Sequence, residues 1–171
     1  MSNDSYRGLL IAILAVGVLN LIATGVQTGL LIRAPSPSAT VAADTRQSLP
    51  KQYTDAVLAA IAKRVTVPYN DGNVEALYNT FDDVAKAQIR RETFEKQLDQ
   101  LGKLVGKVES ASFIGSQKQQ NQGNIDTYKL NYVVRLSNAA FQSGTMTINV
   151  LDRESGPAIV GFFINGRTTQ Q

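Results

Sequence analysis

Any chemistry this 171-residue chain performs must come from carboxylates, phenols and cations, because it contains no histidine and no cysteine. Imidazole zinc sites, Ser-His-Asp triads, thiolate nucleophiles and disulfides are excluded by composition alone. The aspartates that could act as acid or base are Asp71, Asp82, Asp83, Asp126 and Asp152. Neighbours on a helix point about 100° apart, so Asp82 and Asp83 make a poor pair for shared proton work. Asp82 reads instead as the start of a helical turn, where negative charge is favoured. Asp71 and Asp152 fall in turn-forming stretches, where aspartate bonds nearby backbone, and Asp126 stands at the head of a strand. Gly-rich phosphate loops, EF-hand loops and HExxH spacings are missing from the sequence. No catalytic constellation assembles, and the expectation is a non-enzyme with no cofactor and no metal.

The phenols are the more interesting set. Tyr78, Tyr128 and Tyr132 fall on faces predicted to point inward. They can line an apolar pocket and offer hydroxyls to a small ligand, or form ordinary core with each hydroxyl bonded within the protein. The basic pairs Lys63-Arg64 and Arg90-Arg91 read as solvated helix faces. With 17 Lys and Arg against 14 Asp and Glu the net charge is +3, too mild to argue for nucleic acid as a partner.

The elements that must position these residues begin with an apolar segment. No residue from Leu9 to Ile32 is charged, and Arg7 and Arg33 bracket the run. At about 1.5 Å per residue a helix of this length reaches roughly 36 Å, enough to cross a hydrocarbon core of about 30 Å with some tilt. Signal-peptide apolar regions are shorter and close to their cleavage site, so residues 9–32 read as an uncleaved signal anchor behind a tail of residues 1–8. The expected placement is a single-pass span in the cell's inner membrane. The N-terminus is cytoplasmic and the folded part extracytoplasmic, although the raw Lys/Arg count leans slightly the other way. At about 100° per residue, Gly17, Asn20, Thr24, Gln27 and Thr28 share one arc of the span. Small and polar residues on one stripe let membrane helices approach closely and hydrogen-bond. Gly25 and Gly29 add a GxxxG on a neighbouring arc. These seven residues are the expected site of helix association, with a second copy or another membrane subunit.

Residues 33–48 hold two prolines and almost no bulky apolar side chain, the composition of a semi-extended tether. Residues 49–171 are long enough to build a core. Tyr53, Val57, Ile61 and Val65 recur at i, i+4 and predict a helix that Pro68 stops. Asn70-Asp71-Gly72-Asn73 predicts a turn, with Asn73 capping a short helix whose apolar side is Leu77, Tyr78 and Phe81. Phe94, Leu98 and Leu101 predict a further helix with Gly102 as its C-terminal stop. The period then changes to two. Val108–Ser116 predicts a strand, and Tyr128, Leu130, Tyr132, Val134 and Leu136 alternate with polar neighbours in the next. Met146, Ile148 and Val150, then Val160, Phe162 and Ile164, supply the inward sides of two more. Short turn-rich connections join them, so the expectation is α+β, with helices packed on a curved four-stranded antiparallel meander.

This order of elements resembles the nuclear transport factor 2-like (cystatin-like) superfamily. The resemblance rests on Tyr69-Asn70-Asp71-Gly72-Asn73-Val74-Glu75-Ala76-Leu77-Tyr78, the Phe81-Asp82 step, the Phe94/Leu98 helix and the closing Ile159-Val160-Gly161-Phe162-Phe163-Ile164, and it covers residues 50–167. It implies a curved sheet wrapped on helices, a cone with an apolar pocket, and frequent dimerisation through the sheet. Members of the superfamily include isomerases and dehydratases, binding modules, and the single-span periplasmic scaffold proteins of type IV secretion systems. The last share the build of short tail, one span, tether and cone domain.

The outward sheet face is predicted to carry small polar residues with apolar spots among them. Asn131, Val133, Thr145, Thr147 and Phe163 are the residues expected to meet a protein partner there. The function expected from these readings is a single-pass, membrane-anchored interaction or scaffold subunit. Its partner is a membrane protein or a second copy. The alternative is a membrane-tethered binding module for a small apolar ligand in a Tyr-lined pocket.

Overall fold

A computed structural model describes residues 49–119 and 125–167. The tail, the apolar run 9–32 and the stripe Gly17, Asn20, Thr24, Gly25, Gln27, Thr28 and Gly29 lie outside the described residues. Among those described, no helix is long and apolar enough to cross a membrane.

Four helices precede four strands: α1 (Asp55–Asn70), α2 (Val74–Asn79), α3 (Asp83–Lys86), α4 (Arg91–Val105), β1 (Val108–Gln119), β2 (Thr127–Asn138), β3 (Phe141–Arg153) and β4 (Gly156–Arg167). Side-chain caps set the first three starts. Thr54 Oγ1 accepts from the Val57 amide at 3.3 Å, Asn73 Oδ1 from Ala76 at 2.9 Å and Asp82 Oδ1 from Val84 at 3.0 Å. Each satisfies an amide that the helix itself leaves without a partner.

Two helix ends differ from the sequence expectation. Pro68 lies inside α1 rather than stopping it. Proline removes one amide donor, but the chain closes the last turn behind it: the Asp71 amide reaches Val67 O at 3.1 Å and Asn73 reaches Pro68 O at 2.9 Å. Likewise α4 runs past Gly102 and ends at Gly106, whose φ is 72°. A Cβ on Gly106 would meet Ser137 Oγ at 2.6 Å. The stop is therefore decided by contact with β2, which a local reading of α4 does not contain.

The strands form one sheet in the order β1-β2-β3-β4, every pair antiparallel. The α+β meander expected from the alternation is thus the observed architecture, with tighter β2–β3 and β3–β4 turns. Register shifts interrupt β1 between Val108 and Ser110 and again between Phe113 and Gly115, and β3–β4 between Asn149 and Val150. Bulges bend a strand and increase its twist, which curves the sheet. Helices α1 and α4 cover one face, contacting β1, β2 and β4. Phe81 forms a parallel bridge to Ile159, and the Asp82 amide donates to Ile159 O at 2.7 Å, pinning the α2–α3 junction to the β4 edge.

Between helices and sheet the space is taken up by aromatic rings in contact. Phe94 lies 5.5 Å from both Tyr78 and Phe81, and Phe162 lies 6.2 Å from both Phe81 and Tyr69. Phe94, Phe162, Leu77, Leu130 and Ile148 are wholly buried. Each such side chain contributes roughly 1.5–3 kcal/mol by leaving water.

Candidate functional site

The three tyrosines expected to line a pocket each hold their hydroxyl within hydrogen-bond reach of the protein itself. Tyr132 is 1% exposed, and its hydroxyl donates to Leu58 O at 3.0 Å, tying β2 to α1. Tyr78 is half-buried, and its hydroxyl stands 3.3 Å from both Lys86 O and Ile89 O, closing the loop before α4. Tyr128 is buried on the same sheet face as Tyr132, with its hydroxyl 3.4 Å from Asp126 Oδ2. Burial pushes the Tyr132 phenol pKa above its ordinary value, and burial aided by Asp126 does the same at Tyr128. At neutral pH the Tyr128 and Tyr132 phenols therefore stay protonated and serve as donors.

Of the candidate carboxylates, Asp126 and Asp152 stand together, the Asp152 amide donating to Asp126 O at 2.8 Å, while Asp82 has a separate partner. Asp82 Oδ1 receives Arg153 Nη2 at 2.8 Å across 71 residues of sequence. Burial opposes charge at Asp82, but the Val84 amide and the Arg153 guanidinium outweigh it and hold the carboxyl below its usual range. Asp152 receives Gln52 at 3.0 Å and the Tyr53 hydroxyl at 3.1 Å. Asp126 pairs with Lys118 at 2.7 Å. The Gln52 and Tyr53 bonds to Asp152 latch the N-terminal entry of the domain to the end of the sheet that holds the β3–β4 turn. Among the described residues no three acidic groups are placed to hold a metal ion. The Asp82–Arg153 pair escaped sequence reasoning because nothing local in either segment announces the other.

A cleft of about 630 Å³ opens where α1 and α4 end. Tyr69, Val74 and Leu98 give it apolar lining, and Glu95, Asp99 and Lys103 add charge. It was not anticipated, because its walls come from three helices, the α4–β1 link and the end of β2. Its framework is built from side-chain bonds to backbone. Asn70 bonds both the carbonyl and the amide of Val108 at 2.8 Å, extending the β1 edge as a strand would. The Tyr69 hydroxyl donates to Gly106 O at 2.7 Å, and burial pushes this phenol's pKa up to about 12. Gly102, within α4, also lines the cleft, and a Cβ there would meet no atom within 4 Å.

Among the described residues, the predicted set on the outer sheet face stands in adjacent register rows. Register places Asn131 opposite Thr147 and Thr147 opposite Phe163, with Val133 opposite Thr145 in the next row. Directly opposed residues project to the same face, so all five form one contiguous patch across β2, β3 and β4. Thr147 Oγ1 donates to Asn131 Oδ1 at 2.9 Å. Thr147 is 3% exposed, whereas Val133 is 44% exposed and Phe163 half-buried. Beside the patch, Asn149 Oδ1 is buried with no hydrogen-bond partner.

No family model matches this sequence, and no curated protein matches it.

Proposed function

We propose that this chain is a single-pass, membrane-anchored interaction or scaffold subunit of a membrane-associated complex. Its folded domain stands on the extracytoplasmic side, and the nuclear transport factor 2-like superfamily supplies the architectural comparison. The observation that carries this reading is the outer sheet face. Strand register gathers Asn131, Val133, Thr145, Thr147 and Phe163 into one patch without a charged side chain among them. The elements α1 and α4 cover the opposite face of the sheet. The uncharged run Leu9–Ile32, with Asn20 at its centre, supports the anchor and a second contact within the membrane.

The test is the native mass of the full chain extracted in mild detergent, with and without Asn20→Leu. The expected result is a defined assembly that the substitution weakens or dissociates. A wild-type monomer, or an assembly indifferent to Asn20→Leu, sinks the reading of the span.

A second reading, small-ligand binding, is favoured by the cleft between α1 and α4, whose volume of about 630 Å³ is within the range of ligand sites. A ligand that binds the folded state raises the melting temperature with concentration. Glu or Arg at Gly102 should abolish that rise if the cleft is the site.

A further inference from the structure

Around the uncharged patch the outer face of β2, β3 and β4 carries cations only, and β1 adds one carboxylate, the exposed Glu109 at the bulge opposite Arg135. Register places Lys129 beside Asn149 at one end and Arg135 beside Ser143 at the other, with Arg167 opposite Ser143 on β4. Arg135 and Arg167 are exposed and Lys129 is half-buried, and none of the three forms an ion pair among the described residues. The only acidic residue in the whole of β2, β3 and β4 is Asp152, and it is committed to Gln52 and Tyr53 at the domain's entry.

We infer that this face docks a different protein whose contact surface carries carboxylates around an uncharged centre, rather than a second copy of this chain. The inference rests on the proposed interaction role and names the partner's chemistry. A copy laid face to face by a two-fold axis would bring the same three cations against a single carboxylate, Glu109 of β1, so the contact would still be cationic on both sides. Like charges across an interface repel, and complementary ones set partner choice and docking rate. Val133 and Phe163 provide apolar contact at the centre. The unpartnered Asn149 Oδ1 is an acceptor at the patch margin that a donor from the partner can satisfy once the neighbouring side chains shift.

The test places a photo-crosslinking side chain at position 133 of the full chain in its native membrane, with position 96 on the exposed face of α4 as the control. The expected product is a discrete heterologous adduct at 133 and not at 96, whose crosslinked peptide is rich in Asp and Glu. Its yield should fall about tenfold with Arg135→Glu plus Arg167→Glu, and by less with the corresponding Gln pair. Both arginines are exposed, and an unchanged urea midpoint verifies that the variants fold. An adduct with the mass of two copies, an adduct to lipid, or a protein adduct indifferent to charge reversal overturns the inference. The homodimer and the charge-indifferent adduct leave the interaction role standing. Absence of any adduct at 133 overturns the role of this face and the inference together.

Discussion

The two faces of the sheet are built from the same strands, residue by residue in alternation, yet they solve different problems. On the inner face Leu130, Tyr132, Val134, Met146, Ile148 and Phe162 are 0–1% exposed beneath α1 and α4. On the outer face the intervening positions are Asn131, Val133, Thr145, Thr147 and Phe163, and exposure varies from 3% at Thr147 to 44% at Val133. Dense packing makes the inner residues a matter of shape and volume. The outer residues are unevenly covered, and Val133 and its half-buried neighbours Asn131, Thr145 and Phe163 keep surface available for a partner. What the contrast teaches is that stability and recognition can be separated here by a two-residue period.

The sharpest way to break that contrast is to substitute on each side of it. Phe162→Ala should cost about 3–5 kcal/mol in a urea titration of the full chain in mild detergent, because it opens a cavity beside Phe81 and Tyr69. A cost near zero would mean that the aromatic packing is not the core of the domain. Next in size is the helix end. Gly106→Ala should destabilise by about 1–3 kcal/mol, since it combines a positive φ with a Cβ 2.6 Å from Ser137 Oγ.

Acid should act through Asp82. Its folded-state pKa lies below the ordinary value, so the Arg153 pair contributes fully above the carboxylate's unfolded pKa, about 4, and that contribution is lost as pH falls through the lower folded value. Asp82→Asn keeps an N-cap while removing the charge, and it should flatten this part of the acid limb of the urea midpoint. An identical acid limb in the variant would assign the loss to other groups.

Smaller effects sharpen the comparison. Gly102→Ala should stabilise by about 0.5–1 kcal/mol, because glycine within a helix is costly and the space beside it is open. Val133→Thr should change stability by less than about 0.5 kcal/mol. If Val133→Thr proves as costly as a core substitution, the outer face is a structural surface and not a free one.

Fold class was legible in the sequence because hydrophobic period is a local property. A period near 3.6 in the first half and of two from Val108 onward already dictates helices followed by strands, and short turn-rich connections leave an antiparallel meander as the simplest pairing. The Asn73 and Asp82 caps were legible for the same reason, since a cap bonds an amide two or three residues away. The outer patch was half legible: alternation names its members, but only register shows that Asn131, Thr147 and Phe163 stand in one row. The tyrosines show the limit. Alternation places Tyr128 and Tyr132 inward, yet whether an inward phenol faces a cavity or a carbonyl depends on the opposite wall. For Tyr132 that wall is Leu58, 74 residues away.

By itself the sequence determined what could not be present and what had to be buried. The lack of histidine and cysteine, the uncharged run Leu9–Ile32 and the change of hydrophobic period are properties of residues and their near neighbours. Tertiary structure alone decided that α1 continues through Pro68, that α4 ends at Gly106 instead of Gly102, that Asp82 meets Arg153, and that the helix ends enclose a cleft. Each of these depends on a contact between segments far apart in the chain. Such contacts form only after loop closure has been offset by burial of the whole core, and no local window of residues contains that balance.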